Sequence, residues 1–202
     1  MAVFAKALGF LVAVLTLSCG GAELAKPLPI LGEAPSFRLT ERARKTVSAA
    51  DLRGSPWVAN FIFTRCVGPC PVLSLHMQRL QNASAEFAAL RLVSFSVDPL
   101  TDTPEVLSEY ADSFGADPRR WLFLTGERDE LYTLIQDGFK LAVVDQRDED
   151  HSMHDAAPED VITHSTRFVL VDAGGKIRGY YNGVEPDVVD TLMTDLRRLA
   201  AE

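Results

Sequence analysis

Apolar residues recur along the chain with two different periods, which predicts strands alternating with helices. The segment 57–64 (Trp-Val-Ala-Asn-Phe-Ile-Phe-Thr) is an almost continuous apolar run, as is typical of a strand buried on both faces. Apolar residues then follow at steps of three and four from Leu73 through Met77 to Leu80, which predicts one buried face of a helix. Pro71 suits the first turn of that helix, because its missing amide hydrogen would have no partner there.

The rest of the chain predicts the same alternation around one sheet. Further strands are predicted at 36–40, 46–48, 90–97, 121–125 and 139–144, a hairpin at 167–181, helices at 104–114, 127–137 and 186–200, and a polar loop at 145–160. Strand, helix, strand, helix, hairpin and final helix are the order of a thioredoxin-like, peroxiredoxin-type α/β sandwich with a central mixed sheet. The alternation alone also fits several doubly wound folds.

The N-terminus predicts export from the cytoplasm. In residues 1–18 a single Lys precedes an uncharged run that is shorter than the roughly 20 residues needed to span a bilayer, which predicts a signal peptide. A small residue followed by Cys19 is where a bacterial lipoprotein signal is cut, so we expect Cys19 to carry lipid. Thr16 stands where Leu is usual, and ordinary cleavage or an uncleaved anchor are the alternatives. Residues 19–35, rich in Gly and Pro, are predicted to be a tether, and residues 36–202 a single domain.

The composition excludes several classes of protein. A chain of 202 residues with 47% hydrophobic and 24% charged residues suits one globular domain and is unlike disordered, collagen-like or coiled-coil proteins. Lys and Arg number 20 against 28 Asp and Glu, which gives a net charge of −8. This acidic balance argues against nucleic-acid binding, which requires basic residues to neutralise phosphates.

Cys66 and Cys70 fall where the first core strand turns into its helix. A helix N-terminus stabilises a thiolate, and Arg65 is expected to add to this effect. Three residues separate the two cysteines, whereas a redox-active thioredoxin motif has two. The spacing alone leaves open a structural disulfide, a redox dithiol and a metal site. Two soft sulfurs suit Cu(I), and an added imidazole would also hold Cu(II).

His164 precedes the first strand of the predicted hairpin. In a thioredoxin-like fold this segment faces the loop from Cys66 to Cys70, called the cysteine loop below. Redox-active members of that fold place a cis-proline in this segment. The chain has no proline between Pro158 and Pro186. An imidazole at this position favours metal ligation over disulfide exchange.

Three motifs together resemble the Sco/SenC family. They are Asn60-Phe-Ile-Phe-Thr-Arg-Cys66-x-x-x-Cys70-Pro71, Ser96-Val-Asp98-Pro-x-x-Asp102-Thr-Pro104 and Thr163-His164-Ser-Thr-Arg-Phe-Val-Leu-Val-Asp172. They follow the family's order and spacing from about Ser36 to the end of the chain. The resemblance implies a thioredoxin-like fold, a membrane anchor, exposure on the periplasmic side, and copper bound by Cys66, Cys70 and His164. Residues 67–69 depart from the family's familiar triplet, which puts loop shape and affinity in doubt but not the identity of the ligands.

The resemblance also implies delivery of copper to the binuclear copper centre of cytochrome c oxidase, or reduction of its thiols. Such a copper chaperone would have the copper-accepting oxidase subunit as its partner, a periplasmic thiol reductase or another copper carrier as further partners, and the bilayer as its support through Cys19. The alternative is an enzyme, a thiol–disulfide oxidoreductase in which Cys66 and Cys70 are catalytic and no metal is obligatory. A peroxide-reducing enzyme is a third hypothesis, although the Thr and Pro arrangement around its reactive cysteine is absent here.

Other polar residues near these motifs have simpler interpretations. Asp98 follows a buried strand and lies either near the mouth of the metal site or in a turn before Pro99. Asp102 and Glu105 are predicted to be an N-cap pair for the next helix. His76 lies off the apolar face of its helix and is predicted to be solvated.

The predicted polar loop contains His151, Met153 and His154. Imidazole and thioether groups bind copper, so these three side chains are a hypothetical accessory capture site. A loop that is merely polar is the alternative.

Overall fold

A computed structural model describes residues 26–145 and 162–202. Its strands are β1 (Gly32–Glu33), β2 (Arg38–Glu41), β3 (Thr46–Ser48), β4 (Trp57–Ile62), β5 (Arg91–Ser96), β6 (Trp121–Thr125), β7 (Val143–Asp145), β8 (Ile162–His164), β9 (Arg167–Val171) and β10 (Lys176–Asn182). Its helices are α1 (Cys70–Ala83), α2 (Pro104–Ser113), α3 (Arg128–Thr133) and α4 (Val188–Ala200), with a 3₁₀ turn at Ala49–Leu52 and a π-helical turn at Leu134–Gly138. The predicted order of strands and helices is confirmed.

The main sheet is mixed, and β4 lies near its middle. The strand order is β1-β10-β9-β4-β5-β6-β2-β3, in which β4, β5 and β6 are parallel and β9 is antiparallel to β4. Every residue of β4 is buried, as its continuous apolar run predicts. Helices α1 and α4 pack against each other, and α1 also contacts β4. The carboxyl end of β4 is therefore held from several sides where the cysteine loop begins.

Aromatic rings form the part of the core that supports β4. Phe61 of β4 stacks on Phe95 of β5 with ring centroids 5.7 Å apart, and Phe139 packs edge-on against Phe61 at 5.4 Å. Phe37 meets both Phe95 and Trp57 edge-on. All five rings are buried, and each buried aromatic side chain contributes a large apolar area to the fold.

Two short strands form a second sheet that carries His164. β7 pairs antiparallel with β8, with Val143 opposite His164. The segment 139–144 was predicted to be extended throughout, but only its last two residues are in β7. The amides of Phe139 and Leu141 instead donate back to carbonyl oxygens of the π-helical turn at 134–138. The small ladder places the end of β8 beside the cysteine loop.

The last residues of the predicted tether are packed against the domain. Leu28 is 5% exposed, and β1 pairs with β10. The buried guanidinium of Arg178 donates to the carbonyl oxygen of Leu28 at 2.7 Å, and the amide of Leu28 donates to the carboxylate of Glu202 at the same distance. This end of the tether is therefore part of the folded unit.

Several sequence predictions concern residues outside those described. They are the signal peptide at 1–18, the lipid on Cys19 and the accessory site at 151–154. Within residues 26–145 and 162–202, no helix has the length and apolar character that crossing a bilayer requires.

Candidate metal centre

The two cysteines lie on a loop and on the helix that follows it. The amide of Cys66 donates to the carbonyl oxygen of Phe63 at 3.2 Å in the turn after β4. Cys70 is the first residue of α1, directly after the N-cap Pro69. Cys70 is buried and Cys66 is partly exposed, and both are free thiols. One sulfur is thus fixed in the protein and the other faces the surface.

His164 at the end of β8 completes a three-residue cluster with the cysteines. Its Nε2 lies 3.2 Å from the Sγ of Cys70, and its ring packs edge-on against Phe63 with centroids 5.6 Å apart. One ligand atom from each of Cys66, Cys70 and His164 lies within 4.8 Å of the others. Groups of three or more His, Cys, Asp or Glu side chains can hold a metal ion when their ligand atoms lie close together. Among the described residues, these three side chains form such a group. The fold brings together the three residues on which the copper hypothesis depends.

A second hydrogen bond sets the tautomer of His164. Its Nδ1 lies 3.0 Å from the carbonyl oxygen of Ser165. A carbonyl oxygen only accepts, so Nδ1 carries the hydrogen and, in the neutral ring, Nε2 directs its lone pair at the sulfurs. Metal-binding histidines are commonly oriented in this way by a carbonyl on the far nitrogen.

The two sulfurs differ in proton affinity. The pKa of Cys66 is lowered, first by the hydrogen bond that the thiol of Cys70 donates to it and further by the backbone amides of Cys70 and Gly68. The pKa of Cys70 is raised, because its proton is held in the hydrogen bond with Cys66 and because it is buried. The pair therefore exists readily as one thiolate and one thiol, with the charge on the more exposed Cys66.

Arg65 has a different partner from the one expected. It was expected to support the thiolate of Cys66, but its guanidinium lies 2.7 Å from the carboxylate of Asp98. Asp98 is fully buried just after β5, so the pair ties the cysteine loop to the neighbouring strand end. Asp98 is therefore linked to the loop and is more than a turn residue.

The prediction that Asp102 caps α2 is wrong. The N-cap is Thr103, whose hydroxyl accepts from the amide of Val106. Asp102 is buried, and its carboxyl group accepts from the amide and hydroxyl of Thr64 and from the hydroxyl of Ser96. The carboxyl group is thus turned inward beneath the cysteine loop, where these three donors occupy it.

The prediction that His76 is solvated is also wrong. His76 is 5% exposed, and its Nδ1 lies 2.8 Å from the carbonyl oxygen of Gly183. The helix α1 is covered on a second side by the segment after β10, which the spacing of apolar residues in α1 does not reveal.

The cluster lies at the edge of an open cavity of about 310 Å³. The cavity is lined by Phe63, Cys66, Val67, Gly68, Pro69, Ile162, Thr163 and His164. Val67 is 75% exposed at its rim. Another molecule can therefore reach the sulfur of Cys66 and the ring of His164 from solvent.

Comparison with known sequences identifies relatives of the chain. A family model described as SCO1/SenC matches residues 31–201. A protein of Bacillus subtilis named SCO1 protein homolog is 34% identical over 182 residues, which cover 89% of this chain and 88% of that protein.

Solved structures agree with the sequence comparison. A SCO1/SenC family lipoprotein from Bacillus anthracis is 33% identical, covers 88% of this chain and 99% of its own, and superposes with a TM-score of 0.73. BsSco, described as having a disulfide switch and as a member of the Sco family of cytochrome c oxidase assembly proteins, is 33% identical over 87% of this chain and 98% of its own, with a TM-score of 0.72. Copper-bound ScoI of Bradyrhizobium japonicum, 21% identical over 83% of this chain and 99% of its own, has a TM-score of 0.67 and shares the fold. The predicted thioredoxin-like fold is confirmed, and the chain belongs to the SCO1/SenC family.

Proposed function

We propose that this protein binds copper through Cys66, Cys70 and His164 and delivers it to the copper-accepting subunit of cytochrome c oxidase. The observation that carries the proposal is the convergence of two sulfurs and one imidazole nitrogen within 4.8 Å. The tautomer of His164 leaves Nε2 available as a ligand. BsSco, to which the chain is similar, is a member of a family of oxidase assembly proteins, which supports the choice of partner.

The donor set fits copper in both of its oxidation states. Thiolates are soft ligands that hold Cu(I), and an imidazole with two thiolates also suits Cu(II). Deprotonated sulfur is required for binding, and the lowered pKa of Cys66 supplies one thiolate near neutral pH. Because Cys66 faces the open cavity, a partner's thiolates can approach the bound ion and take it by ligand exchange.

The proposed setting is the periplasmic side of the membrane. The chain is anchored through lipid on Cys19, and its similarity to a lipoprotein of Bacillus anthracis supports this anchor. Outside the cytoplasm the cysteine pair is open to oxidation, so a thiol reductase is expected to return it to the copper-binding form. The net charge of −8 favours an approach to a basic surface on the oxidase subunit.

Anaerobic copper titration of the reduced full-length chain tests the site. We expect one Cu(II) per chain, with a thiolate-to-copper charge-transfer absorption that Cys66→Ser, Cys70→Ser and His164→Ala each remove or strongly weaken. Wild-type absorption and affinity in His164→Ala would contradict the assignment of His164. Transfer is then followed by mixing the loaded chain with a peptide or domain that carries the oxidase copper ligands.

The double variant His151→Ala/His154→Ala is the control for His164→Ala. It removes two imidazoles that are not among the proposed ligands, so the charge-transfer absorption should stay at its wild-type strength. A wild type that binds two copper ions, one of which the double variant loses while the absorption stays, would identify the accessory loop site.

The second candidate function is thiol–disulfide oxidoreduction by the same cysteine pair. The observation that favours it is the pairing of a partly exposed Cys66 of lowered pKa with a buried Cys70, which suits an attacking and a resolving thiol. Turnover on a disulfide substrate that is rapid in the absence of copper and unchanged in His164→Ala would favour this function over copper delivery.

A further inference from the structure

A buried histidine on α1 is bonded to the backbone of a distant segment. His76 lies six residues after Cys70 on the same helix and is 5% exposed. Its Nδ1 lies 2.8 Å from the carbonyl oxygen of Gly183, just after β10. Because the carbonyl oxygen only accepts, Nδ1 carries the hydrogen and donates it. The bond fastens α1 to the chain that follows β10.

Gly183 is pressed between α1 and the segment that leads into β9. A Cβ at this position would lie 2.5 Å from Cδ2 of Leu73 on α1 and 2.6 Å from the carbonyl oxygen of Thr166. The amide of Gly183 donates to that same oxygen of Thr166 at 2.9 Å. Gly183 is thus bonded through its carbonyl to His76 and through its amide to Thr166.

These bonds close a ring that includes two of the proposed ligands. Thr166 is two residues from His164 along the chain, and His164 approaches Cys70 at 3.2 Å. Starting at Cys70, the ring runs through His164 and Thr166 to Gly183, crosses to His76, and returns along α1. Every step is a covalent segment of a few residues or a polar contact of at most 3.2 Å.

We propose that His76 is a positioning residue of the metal centre, which sets the distance between Cys70 on α1 and His164 at the end of β8. The inference rests on the proposed function in taking Cys70 and His164 as ligands. Ligand groups work only when their supporting contacts hold them to within about 0.5 Å. The pairing of β8 with β7 and of β9 with β4 places this segment in the sheets, and the bond from His76 links it, through Gly183, to the helix that carries Cys70.

Three variants of His76 separate positioning from general stability. His76→Leu removes the donor, His76→Asn keeps an amide donor in the place of Nδ1, and His76→Gln moves the donor one bond outward. Rescue by Asn and not by Gln is expected if the bond to Gly183 is what matters. The comparison of Asn with Gln still decides the question if the Leu variant does not fold.

Gln81 provides a matched control on the same helix. It is 8% exposed, and its side chain donates to the carbonyl oxygen of Gly115 at 3.1 Å and accepts from the amide of Asp117 at 2.9 Å. Gln81→Leu therefore removes two hydrogen bonds between α1 and a loop, and neither bond has a connection to His164. It should lower the melting temperature without altering the metal site.

The first readout does not depend on copper. In the metal-free, reduced full-length chain, the imidazole NMR resonances of His164 are expected to shift in His76→Leu and His76→Gln and to stay near the wild type in His76→Asn and Gln81→Leu. Unchanged His164 resonances in both His76→Leu and His76→Gln would overturn the proposal, as would an equal shift in Gln81→Leu.

The second readout is Cu(II) affinity together with the charge-transfer absorption. Loss of a residue that orients a metal ligand typically costs 10–100-fold in affinity, so we expect at least about a tenfold loss in His76→Leu and recovery in His76→Asn. Wild-type affinity in His76→Leu would overturn the proposal. If the wild-type chain itself bound no copper, the proposed function would fail, and the resonances of His164 would still decide the role of His76.

Discussion

The hydroxyl group of Thr64 donates a 2.6 Å hydrogen bond to the buried carboxyl group of Asp102, which ties the segment after β4 to the turn before α2. The other carboxyl oxygen of Asp102 accepts from the hydroxyl of Ser96 at 2.7 Å. Burial raises the pKa of Asp102, and these hydrogen bonds oppose the rise without cancelling it. One carboxyl group therefore joins the two strand ends beneath the cysteine loop.

Replacement of Asp102 by Asn should change how stability depends on pH. Between the ordinary pKa of 3.8 and the higher pKa in the folded chain, the folded state holds a proton that the unfolded state has released. Ionisation of Asp102 therefore weakens the fold as pH rises through this window. We expect the free energy of unfolding of the wild type, relative to Asp102→Asn, to fall with rising pH and then to level off, as measured by urea titrations at a series of pH values.

Asp102→Leu is the companion variant, because it removes the acceptor as well as the charge. The amide and hydroxyl of Thr64 and the hydroxyl of Ser96 would lose their partner, at a cost of about 1–3 kcal/mol for each donor left unsatisfied. For Asp102→Asn, the contradicting outcome is a free energy of unfolding that changes with pH in parallel with that of the wild type. Parallel profiles would mean that Asp102 has the same pKa in the folded and the unfolded chain.

The inward turn of Asp102 and the burial of His76 show where sequence reasoning reaches its limit. An Asp before a helix and a His off an apolar face have the local features of a cap and a surface residue. Their actual partners, Thr64 and Gly183, lie far away in the sequence. Periodicity reports one face of a helix, and it does not report a second side that a distant segment covers.

The three proposed ligands could be named from the sequence because each falls at a recognisable place. Cys66 follows the buried strand β4, and Cys70 begins α1. His164 precedes β9, the strand that lies beside β4 in the sheet. The strand β6 was predicted at its observed bounds, because its apolar run is short and sharply ended. The small β7–β8 ladder that carries His164 was not predicted, since pairing between segments so short has no periodic signal.

Arg65→Met should loosen the cysteine loop to a limited degree. The guanidinium of Arg65 is partly exposed, at 40%, so water screens its pair with the buried Asp98, and we expect a loss of about 1 kcal/mol in the free energy of unfolding. Arg119→Met is the matched control, since Arg119 pairs with Asp117 at the surface and should have no measurable effect. Equal effects in chemical denaturation would mean that the Arg65 pair adds nothing to the loop.

Leu28→Ala should destabilise the domain although Leu28 lies within the predicted tether. The side chain is 5% exposed, and removing a buried leucine side chain costs about 2–5 kcal/mol. Ile30→Ala is the control in the same segment, because Ile30 is 66% exposed and should tolerate the change. A melting temperature for Leu28→Ala equal to that of Ile30→Ala would place Leu28 outside the folded unit.

Gly183→Ala should be costly, whereas Gly32→Ala should not. The added methyl at Gly183 would meet the side chain of Leu73 at 2.5 Å and the backbone oxygen of Thr166 at 2.6 Å, and overpacking of this kind costs about 1–3 kcal/mol. At Gly32 an added Cβ has no heavy atom within 4 Å. Thermal unfolding of both variants checks the difference, and a neutral Gly183→Ala would show that α1 and the segment after β10 can separate without cost.

Replacement of Cys70 should change the reactivity of Cys66, because the largest cause of the lowered pKa of Cys66 is the hydrogen bond from the Cys70 thiol. A hydroxyl group also donates a hydrogen bond, so Cys70→Ser should keep much of the lowering, whereas Cys70→Ala should return the pKa of Cys66 towards its ordinary value of 9.0. The thiolate is the reactive form, so the pH profile of alkylation by iodoacetamide reports this pKa. We expect the profile of Cys70→Ala to move to higher pH than those of the wild type and Cys70→Ser. Profiles of Cys70→Ala and Cys70→Ser that both match the wild type would instead assign the lowering to the backbone amides at the N-terminus of α1, which both variants leave in place.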